Sequence, residues 1–523
     1  MHEHWTTGCP PVFPVDPQGT RILSIMDTDQ AEAAADERLR WSIDGLAEAF
    51  PEYSVRRMLT MPQRLGLVLA GLAGVLAAVR RPILLGTVVM AVLIGAYTAM
   101  LVFRIHLLLR QRDVSMRSAA TAVHHVEDAV ALALPDDQLP TVSILVPAYR
   151  EPEVLADLVA NLARLDYPID RVEILLVLEE DDEATRHAAA TMDAPSNVRI
   201  VVVPPGEPRT KPKACNYALL ECSGELVTIY DAEDRPEPLQ LRRVAAAFAR
   251  SSPEVACIQA ELSFFNWDEN VITRWFAVDY RVWFTQYLPG LAASDTPIPL
   301  GGTSNHMRRD VLTAMGGWDP YNVTEDADLG IRLHRRGYRV GIVDSITYEE
   351  ANTDLVNWVK QRSRWYKGYL QTWLVHMRRP RQLRRELGTW AFLRFNLFVA
   401  GTPVLAALNP VSWILVLAWF TLQPQFVKDI MPAPVYYAGL ASWLLGNFTF
   451  YFLNLGVAAR FQEWRVFKSA LWLPAYWVMM SLAAVKALVQ LVVNPNYWEK
   501  TQHGLSNMTS VRAGQVSDGV AGA

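Results

Sequence analysis

The chain has 523 residues, 51% hydrophobic and 20% charged, a balance that admits more than one domain and excludes a disordered chain. Its net charge of -5 gives no basic footprint of the kind nucleic-acid partners require, so no nucleic acid is expected to bind. The 4 cysteines, Cys9, Cys215, Cys222 and Cys257, lack paired metal-ligand spacing and fit reduced thiols in a cytosolic compartment.

Residues 1–20 lack the basic start and apolar run of a secretory signal, so the N-terminus is expected to stay in the cytosol. Residues 1–62 read as a cytosolic segment with an amphipathic stretch, DERLRWSIDGLAEAF, to which the sequence assigns no role. Residues 65–79 and 83–103 are nearly uncharged and are split by Arg80, Arg81 and Pro82. They predict two membrane spans, a transmembrane hairpin over 63–106. Arg56, Arg57 and Arg64 before the hairpin, with Arg104, Arg110 and Arg112 after it, outnumber the arginines of the turn, which puts both flanks in the cytosol.

From about 140 to 350 the pattern becomes soluble α/β. TVSILVPAY (141–149), VEILLVLEEDD (172–182), VRIVVVP (198–204), LVTIYDAED (226–234) and VACIQAELSFF (255–265) are apolar, β-branched runs separated mostly by helix-like segments. They predict a buried, mostly parallel sheet, whose ligands sit beyond the carboxyl ends of the strands. A second apolar region follows. Residues 395–422 and 434–459 predict further spans, and the basic link 460–468 is expected inside. Residues 469–493 are apolar enough for another crossing, but Lys486, Gln490 and interfacial aromatics favour a helix lying on the cytosolic surface. The tail 504–523, rich in Gly and Ser, is expected to be flexible.

Several polar clusters carry possible chemistry. Asp231, Glu233 and Asp234 follow a hydrophobic strand, where clustered carboxylates suit a hard divalent cation or, alternatively, a capped turn. Lys211, Lys213 and Asn216 open a predicted helix whose N-terminus suits phosphate, or simply a solvated first turn. Thr324, Glu325 and Asp326 read either as a capped helix start or as the place of a general base. Gly301 and Gly302 allow close approach of backbone to a ligand. In QRSRWYKGYLQTW (361–373), Arg364 suits phosphate and Trp365 a sugar face, while a membrane-surface helix with snorkelling cations is the competing reading.

Taken in order, these motifs resemble the membrane-integrated family 2 glycosyltransferases of the cellulose-synthase-like group. The resemblance covers about 140–376 and extends to the arrangement of the membrane parts. It implies a GT-A (Rossmann-like) α/β domain in the cytosol, inserted between α-helical transmembrane segments: a domain over 107–376 with an interfacial QxxRW helix, membrane and interfacial helices over 377–493, and a gating-like loop with a tail over 494–523. It also implies a UDP-sugar donor, with Tyr149, Glu151 and Asp181 at the uridine, Lys213 near the diphosphate, and Gln361 and Arg364 in QxxRW. Asp231 and Glu233 fall on the metal motif for Mg2+ or Mn2+, with Asp234 the alternative second ligand. Asp326, beside Thr324 and Glu325, matches the catalytic base, and Trp365, Gly302 and Thr303 are assigned to the acceptor. WEKTQHG (498–504) takes the place of the gating loop, with Lys500 and Thr501 toward the donor.

The activity so implied is processive, inverting synthesis of a β-linked polysaccharide, a β-glucan from UDP-glucose, passed through a multi-pass inner membrane. The alternative is transfer of a single sugar to a lipid carrier. The partners implied are the nucleotide sugar, the growing glycan and the lipid bilayer, whereas a secretion partner and a homo-oligomer are not legible. A C-terminal PilZ domain, and control by cyclic di-GMP through it, is not expected, because only about twenty residues follow His503.

Overall fold

The computed structural model describes residues 28–114, 123–495 and 497–499. The amphipathic N-terminal stretch lies in α1 (Thr28–Ala49), followed by α2 (Met61–Arg80) and α3 (Pro82–Val114). Thr60 and Gln63 form a capping box at the start of α2, and Pro82 enforces the break before α3. Side chains along α2 such as Leu65, Leu72 and Val79 are exposed, a belt suited to hydrocarbon rather than water.

The strands are β1 (Val123–His124), β2 (Val142–Ala148), β3 (Val172–Glu179), β4 (Val198–Val203), β5 (Leu226–Ile229), β6 (Arg235–Pro236), β7 (Val255–Phe264), β8 (Asn305–Arg308) and β9 (Arg339–Glu349). They form one sheet in the order β1-β9-β7-β8-β5-β2-β3-β4, with β6 paired to β9. β2, β3, β4 and β5 run parallel, as do β7 and β9, while β8 runs antiparallel to both β5 and β7. The carboxyl ends of β2, β3, β5, β7 and β9 therefore share one edge with the amino end of β8. Polar clusters far apart in sequence meet there.

Period-2 alternation divides the core between two faces. Ile144, Val146, Ile174, Leu176 and Leu178 pack toward α4 (Leu155–Leu162) and toward α7 (Gln240–Arg250), which follows α5 (Glu183–Thr191) and α6 (Lys211–Leu219). Leu145, Leu175, Val177, Val201 and Ile229 pack on the other face with Ala214, Cys215, Ala218 and Leu219 of α6. That cluster continues into Met100, Phe103 and Leu107, so the end of α3 packs onto the sheet layer. The N-terminal helix also docks on this layer. Arg38 pairs with Glu221, Asn216 donates to the Ser42 carbonyl at 3.1 Å, and the Val55 amide donates to Asp319 at 2.6 Å.

Beyond the sheet come α8 (Val271–Val282), α9 (Glu325–Arg335) and α10 (Leu355–His376), then α11 (Thr402–Thr421), α12 (Ala433–Ala459) and α13 (Leu473–Val493). Among the described residues, five helical stretches are long and apolar enough to cross a membrane: Met61–Arg80, Pro82–Arg112, Pro380–Thr421, Ala433–Ala459 and Leu473–Val493. The last of these, expected as a surface helix, thus also qualifies as a span by length and composition. Its buried Ala483, Ala484 and Ala487 let it pack in one cluster with Trp358 and Tyr366 of α10 and Trp275 and Phe276 of α8.

Candidate active site

A cavity of about 920 Å³ opens at the shared strand edge and continues between α3, α11 and α12. Tyr149 and Glu151 line it just beyond β2. The turn between them puts Arg150 in the left-handed region (φ 58°), with its amide on the Asp182 carboxylate and its guanidinium 5.0 Å from the Tyr149 ring centroid. Asp181, beyond β3, lines the same end and pairs with Arg209.

The two lysines of KPK part company. Lys213, expected at the diphosphate, is fully buried behind the cavity wall and pairs at 2.8 Å with Glu179, which lines the cavity. Burial raises the Glu179 pKa, an effect opposed by that lysine. Lys211 instead reaches the cavity, where it pairs with Asp231 and donates to the Gly302 carbonyl at 3.1 Å. Burial works against its charge, but Asp231 and, farther off, Glu325 hold its pKa above the usual lysine value. The lysine at the cavity is therefore Lys211.

The acidic triplet also divides. Asp231 and Glu233 line the cavity. Asp234 is buried behind them, accepting from the Asp231 amide at 2.7 Å and from the Thr303 hydroxyl, with its second oxygen unpartnered. Burial, then the Asp231 and Glu233 charges, push its pKa well up. Among the described residues no group of three or more His, Cys, Asp and Glu side chains could hold a metal ion. A pair of carboxylates at a cavity still fits Mg2+ or Mn2+, because such ions commonly take one or two carboxylates and complete their shell with substrate phosphates and water. Thr303, expected at the acceptor, has its hydroxyl committed to the Ile229 carbonyl at 2.9 Å and to Asp234, so it braces this turn.

α9 starts at the cavity wall. Thr324 stands at the N-cap but makes no side-chain capping bond, contrary to the sequence expectation. It packs instead against α10, where a Cβ on Gly368 would lie 2.2 Å from the Thr324 hydroxyl oxygen. Glu325 and Asp326 both line the cavity. Burial, then the neighbouring Asp326 charge, pushes Glu325 up to about 8, and burial pushes Asp326 up to about 6. Around neutral pH Asp326 is the ionised member and Glu325 the protonated one, a division of labour that suits a base. Gly302 brings its backbone close, since a Cβ there would lie 3.4 Å from an Asp326 carboxylate oxygen.

α10 supplies the opposite wall. Gln361, Arg364 and Trp365 all line the cavity. Gln361 accepts from Asn352 at 2.9 Å. The Arg364 Nε is buried and unpartnered, and burial lowers the guanidinium pKa against the pull of Glu325, Asp326 and Asp231. Arg362 carries the Trp365 ring 4.8 Å away and ties α10 to Asp279 at 2.6 Å and to the Tyr476 hydroxyl at 3.0 Å. Trp498 lies over Arg364 at 5.0 Å, and Glu499 is gripped by Lys486 at 2.7 Å and Gln490 at 3.0 Å. Lys500 and Thr501 lie outside the described residues. Glu349, at the end of β9, also lines the cavity and was not singled out from the sequence. Its place after an apolar run ending in two acids was the available signal.

Residues 140–368 match the family described as "Glycosyltransferase like family 2". The chain is 26% identical over 236 residues to the "Probable glycosyltransferase YdaM" of Bacillus subtilis (strain 168), covering 44% of this chain and 56% of that protein. It is 31% identical over 267 residues to the "Beta-monoglucosyldiacylglycerol synthase" of Synechocystis sp. (strain ATCC 27184 / PCC 6803 / Kazusa), covering 49% and 54%. The match thus spans a little over half the length of these curated relatives. Among solved structures, a mannosyltransferase of Pyrobaculum calidifontis in complex with GDP-Man and Mn2+ is similar at 19% identity and a TM-score of 0.49, covering 77% of this chain and 99% of that one. A glucosyl-3-phosphoglycerate synthase of Mycobacterium tuberculosis in complex with Mg2+ and UDP is similar at 16% identity and a TM-score of 0.31, covering 51% of this chain and 87% of that one. The residues that this family model matches, 140–368, hold the mixed α/β sheet that gathers the carboxylates at one edge, a likeness to family 2 glycosyltransferases.

Proposed function

We propose that the protein is a metal-dependent, inverting hexosyltransferase that moves one sugar from a nucleotide diphosphate donor to a hydroxyl of a membrane lipid. The observation that carries this reading is the continuity of the cavity. The space beside Asp231 and Asp326 runs on to Leu93, Trp413, Leu440 and Trp443 of the apolar helices. Such an apolar lining suits a lipid tail. Similarity to a synthase of β-monoglucosyldiacylglycerol supports a lipid acceptor and transfer of a glucosyl group.

In this reading Tyr149, Glu151 and Asp181 surround the nucleoside, and Lys211 and Arg364 meet the diphosphate. Asp231 and Glu233 would hold Mg2+ or Mn2+, which when bound neutralises charge on the leaving diphosphate. Asp326 takes the proton of the acceptor hydroxyl as its oxygen attacks the anomeric carbon opposite the leaving group, and Trp365 offers a flat face to the acceptor. The catalytic domain faces the cytosol, α2, α3, α11 and α12 cross the inner membrane, and α13 lies along its cytosolic surface on α10. The arginine-rich flanks of the first hairpin and the grip of Lys486 on Glu499 support that arrangement.

Processive synthesis of a β-glucan is the second reading. The aromatic lining favours it, since Trp365, Trp413, Trp419, Trp443 and Trp477 offer stacking faces along the cavity. The test is whether UDP release by the purified full chain with UDP-glucose and Mn2+ depends on added lipid. A rise in turnover with lipid supports the proposal. Equal turnover without lipid, accompanied by soluble glycan, contradicts it.

A further inference from the structure

Arg104 stands where the apolar run 83–103 of α3 ends, and it faces the cavity. Its guanidinium lies 4.8 Å from the Phe450 ring centroid and 5.6 Å from that of Tyr287. Of the cavity's cations, Arg362 is answered by Asp279 and Lys211 by Asp231, but no carboxylate forms an ion pair with Arg104 among the described residues. Snorkelling would carry such a side chain outward to water. Here aromatic rings hold it inward.

A second, independent feature faces the same space. Tyr366 lines the cavity, the residue is only 4% exposed, and its hydroxyl oxygen has no hydrogen-bond partner. Burial pushes this phenol up to about 12, against the opposing pull of the Arg362 and Arg104 guanidiniums, so the hydroxyl stays a donor and lies within reach of the Arg104 field. A half-buried cation without a carboxylate and a buried unmet donor are each costly alone. A phosphate group answers both, and the end of a span is the depth at which lipid phosphates lie. Tyr366 also adjoins Trp365, the proposed acceptor face.

We propose that Arg104 and Tyr366 form an anion subsite for the phosphate of the acceptor lipid, so that the acceptor is a lipid with a phosphate ester behind the hydroxyl that is glycosylated. This rests on the lipid-acceptor reading above and narrows it. Glycerophospholipids with a free headgroup hydroxyl and prenyl-diphosphate-linked sugars share that chemistry. The transfer itself is unchanged: the anomeric carbon–oxygen bond to the diphosphate breaks, the bond to the acceptor oxygen forms, and its proton goes to Asp326.

The test uses the full chain in detergent with UDP-glucose and Mn2+, comparing phosphatidylglycerol, a prenyl-diphosphate-linked sugar, diacylglycerol and soluble glycerol 3-phosphate. Phosphate-bearing lipids are expected to show an acceptor KM about tenfold below that of diacylglycerol. Arg104→Gln raises that KM about tenfold with a smaller change in kcat, the scale of one charge-assisted hydrogen bond. Arg104→Lys restores most of the loss, Tyr366→Phe gives a lesser rise, and the exposed Arg81→Gln controls for bulk lipid charge. Native mass spectrometry of retained lipid gives a readout free of turnover. Retention of phosphatidylglycerol over diacylglycerol that depends on Arg104 supports the subsite even if no lipid is glycosylated, in which case the functional reading fails instead. Equal retention of both lipids, or an equal effect of Arg104→Gln on both, overturns the subsite, and selective binding of glycerol 3-phosphate alone overturns its assignment to a lipid.

Discussion

Lys211 is tethered to Asp231: its ammonium makes an ion pair with the first carboxylate beyond β5 and a 3.1 Å hydrogen bond to the Gly302 carbonyl. One cation thus ties the helix N-terminus of α6 to the strand-end acids and to the glycine backed by Asp326. Its neighbour Lys213 ties the same helix to Glu179 at the end of β3 instead.

The two lysines should therefore fail in different ways. Lys211→Met is expected to raise the donor KM and lower kcat about 10²-fold or more, the scale of losing a group aimed at developing phosphate charge, with little change in melting temperature. Lys213→Met leaves the half-buried Glu179 without its cation, at a cost of about 1–3 kcal/mol of stability. Donor titration and thermal unfolding of both variants check the contrast, and a Lys213 variant that is stable but blind to donor would reverse the assignment.

The acid pair of α9 predicts a pH profile. Asp326 acts ionised, so kcat/KM should fall as pH drops through about 6. Asp326→Asn should cost about 10²–10⁴-fold in kcat. Glu325 is protonated below about 8, so Glu325→Gln mimics its neutral form and should cost much less near pH 7. The stability sign follows from the same shifts. A carboxyl whose pKa is raised on folding favours the fold below its unfolded pKa and loses that contribution as pH rises through the folded one. Asp326→Asn should then melt higher than the parent at pH 8 and converge with it toward pH 4, which paired thermal scans measure directly.

The strand-end acids predict graded metal dependence. Chelation should abolish turnover, and Glu233→Gln should raise the Mn2+ concentration needed for half-activity because Glu233 faces the cavity. Asp234→Asn should chiefly loosen the turn braced by Thr303, seen as a lower melting temperature with a near-parental metal requirement. A metal requirement shifted by Asp234→Asn alone would exchange their roles.

Gly368→Ala tests the seam between α9 and α10. The added methyl would sit 2.2 Å from the Thr324 hydroxyl oxygen, so one helix has to move. A stability loss of about 1–3 kcal/mol is expected, with a drop in kcat because Thr324 precedes the acid pair. Thermal scans and initial rates report both.

Much of this was readable in advance where burial writes directly into composition. β2, β3, β4, β5 and β7 appear as β-branched apolar runs because helices cover the faces of their sheet. β8, spelled NHMR, has no such run, since its place comes from antiparallel pairing with β5 and β7. β9 was missed because Asp344, Ser345 and Thr347 interrupt its apolar pattern to serve bonds to Val126, Glu237 and Gln240. The lysines show a deeper limit. Two residues on a helix lie roughly 200° apart, so one of Lys211 and Lys213 must face away from the cavity, and only the partner Glu179 on β3 decides which. Glu233 and Asp234 are separated likewise by the Thr303 contact.

The size and solubility of the product test the central claim most directly. Purified full chain is supplied with radiolabelled UDP-glucose, Mn2+ and membrane lipids, and the label is partitioned between organic solvent and an ethanol-insoluble fraction. The account predicts label in an organic-soluble lipid carrying a single hexose, lost with Asp326→Asn. Label confined to insoluble, enzymatically degradable polymer would contradict it.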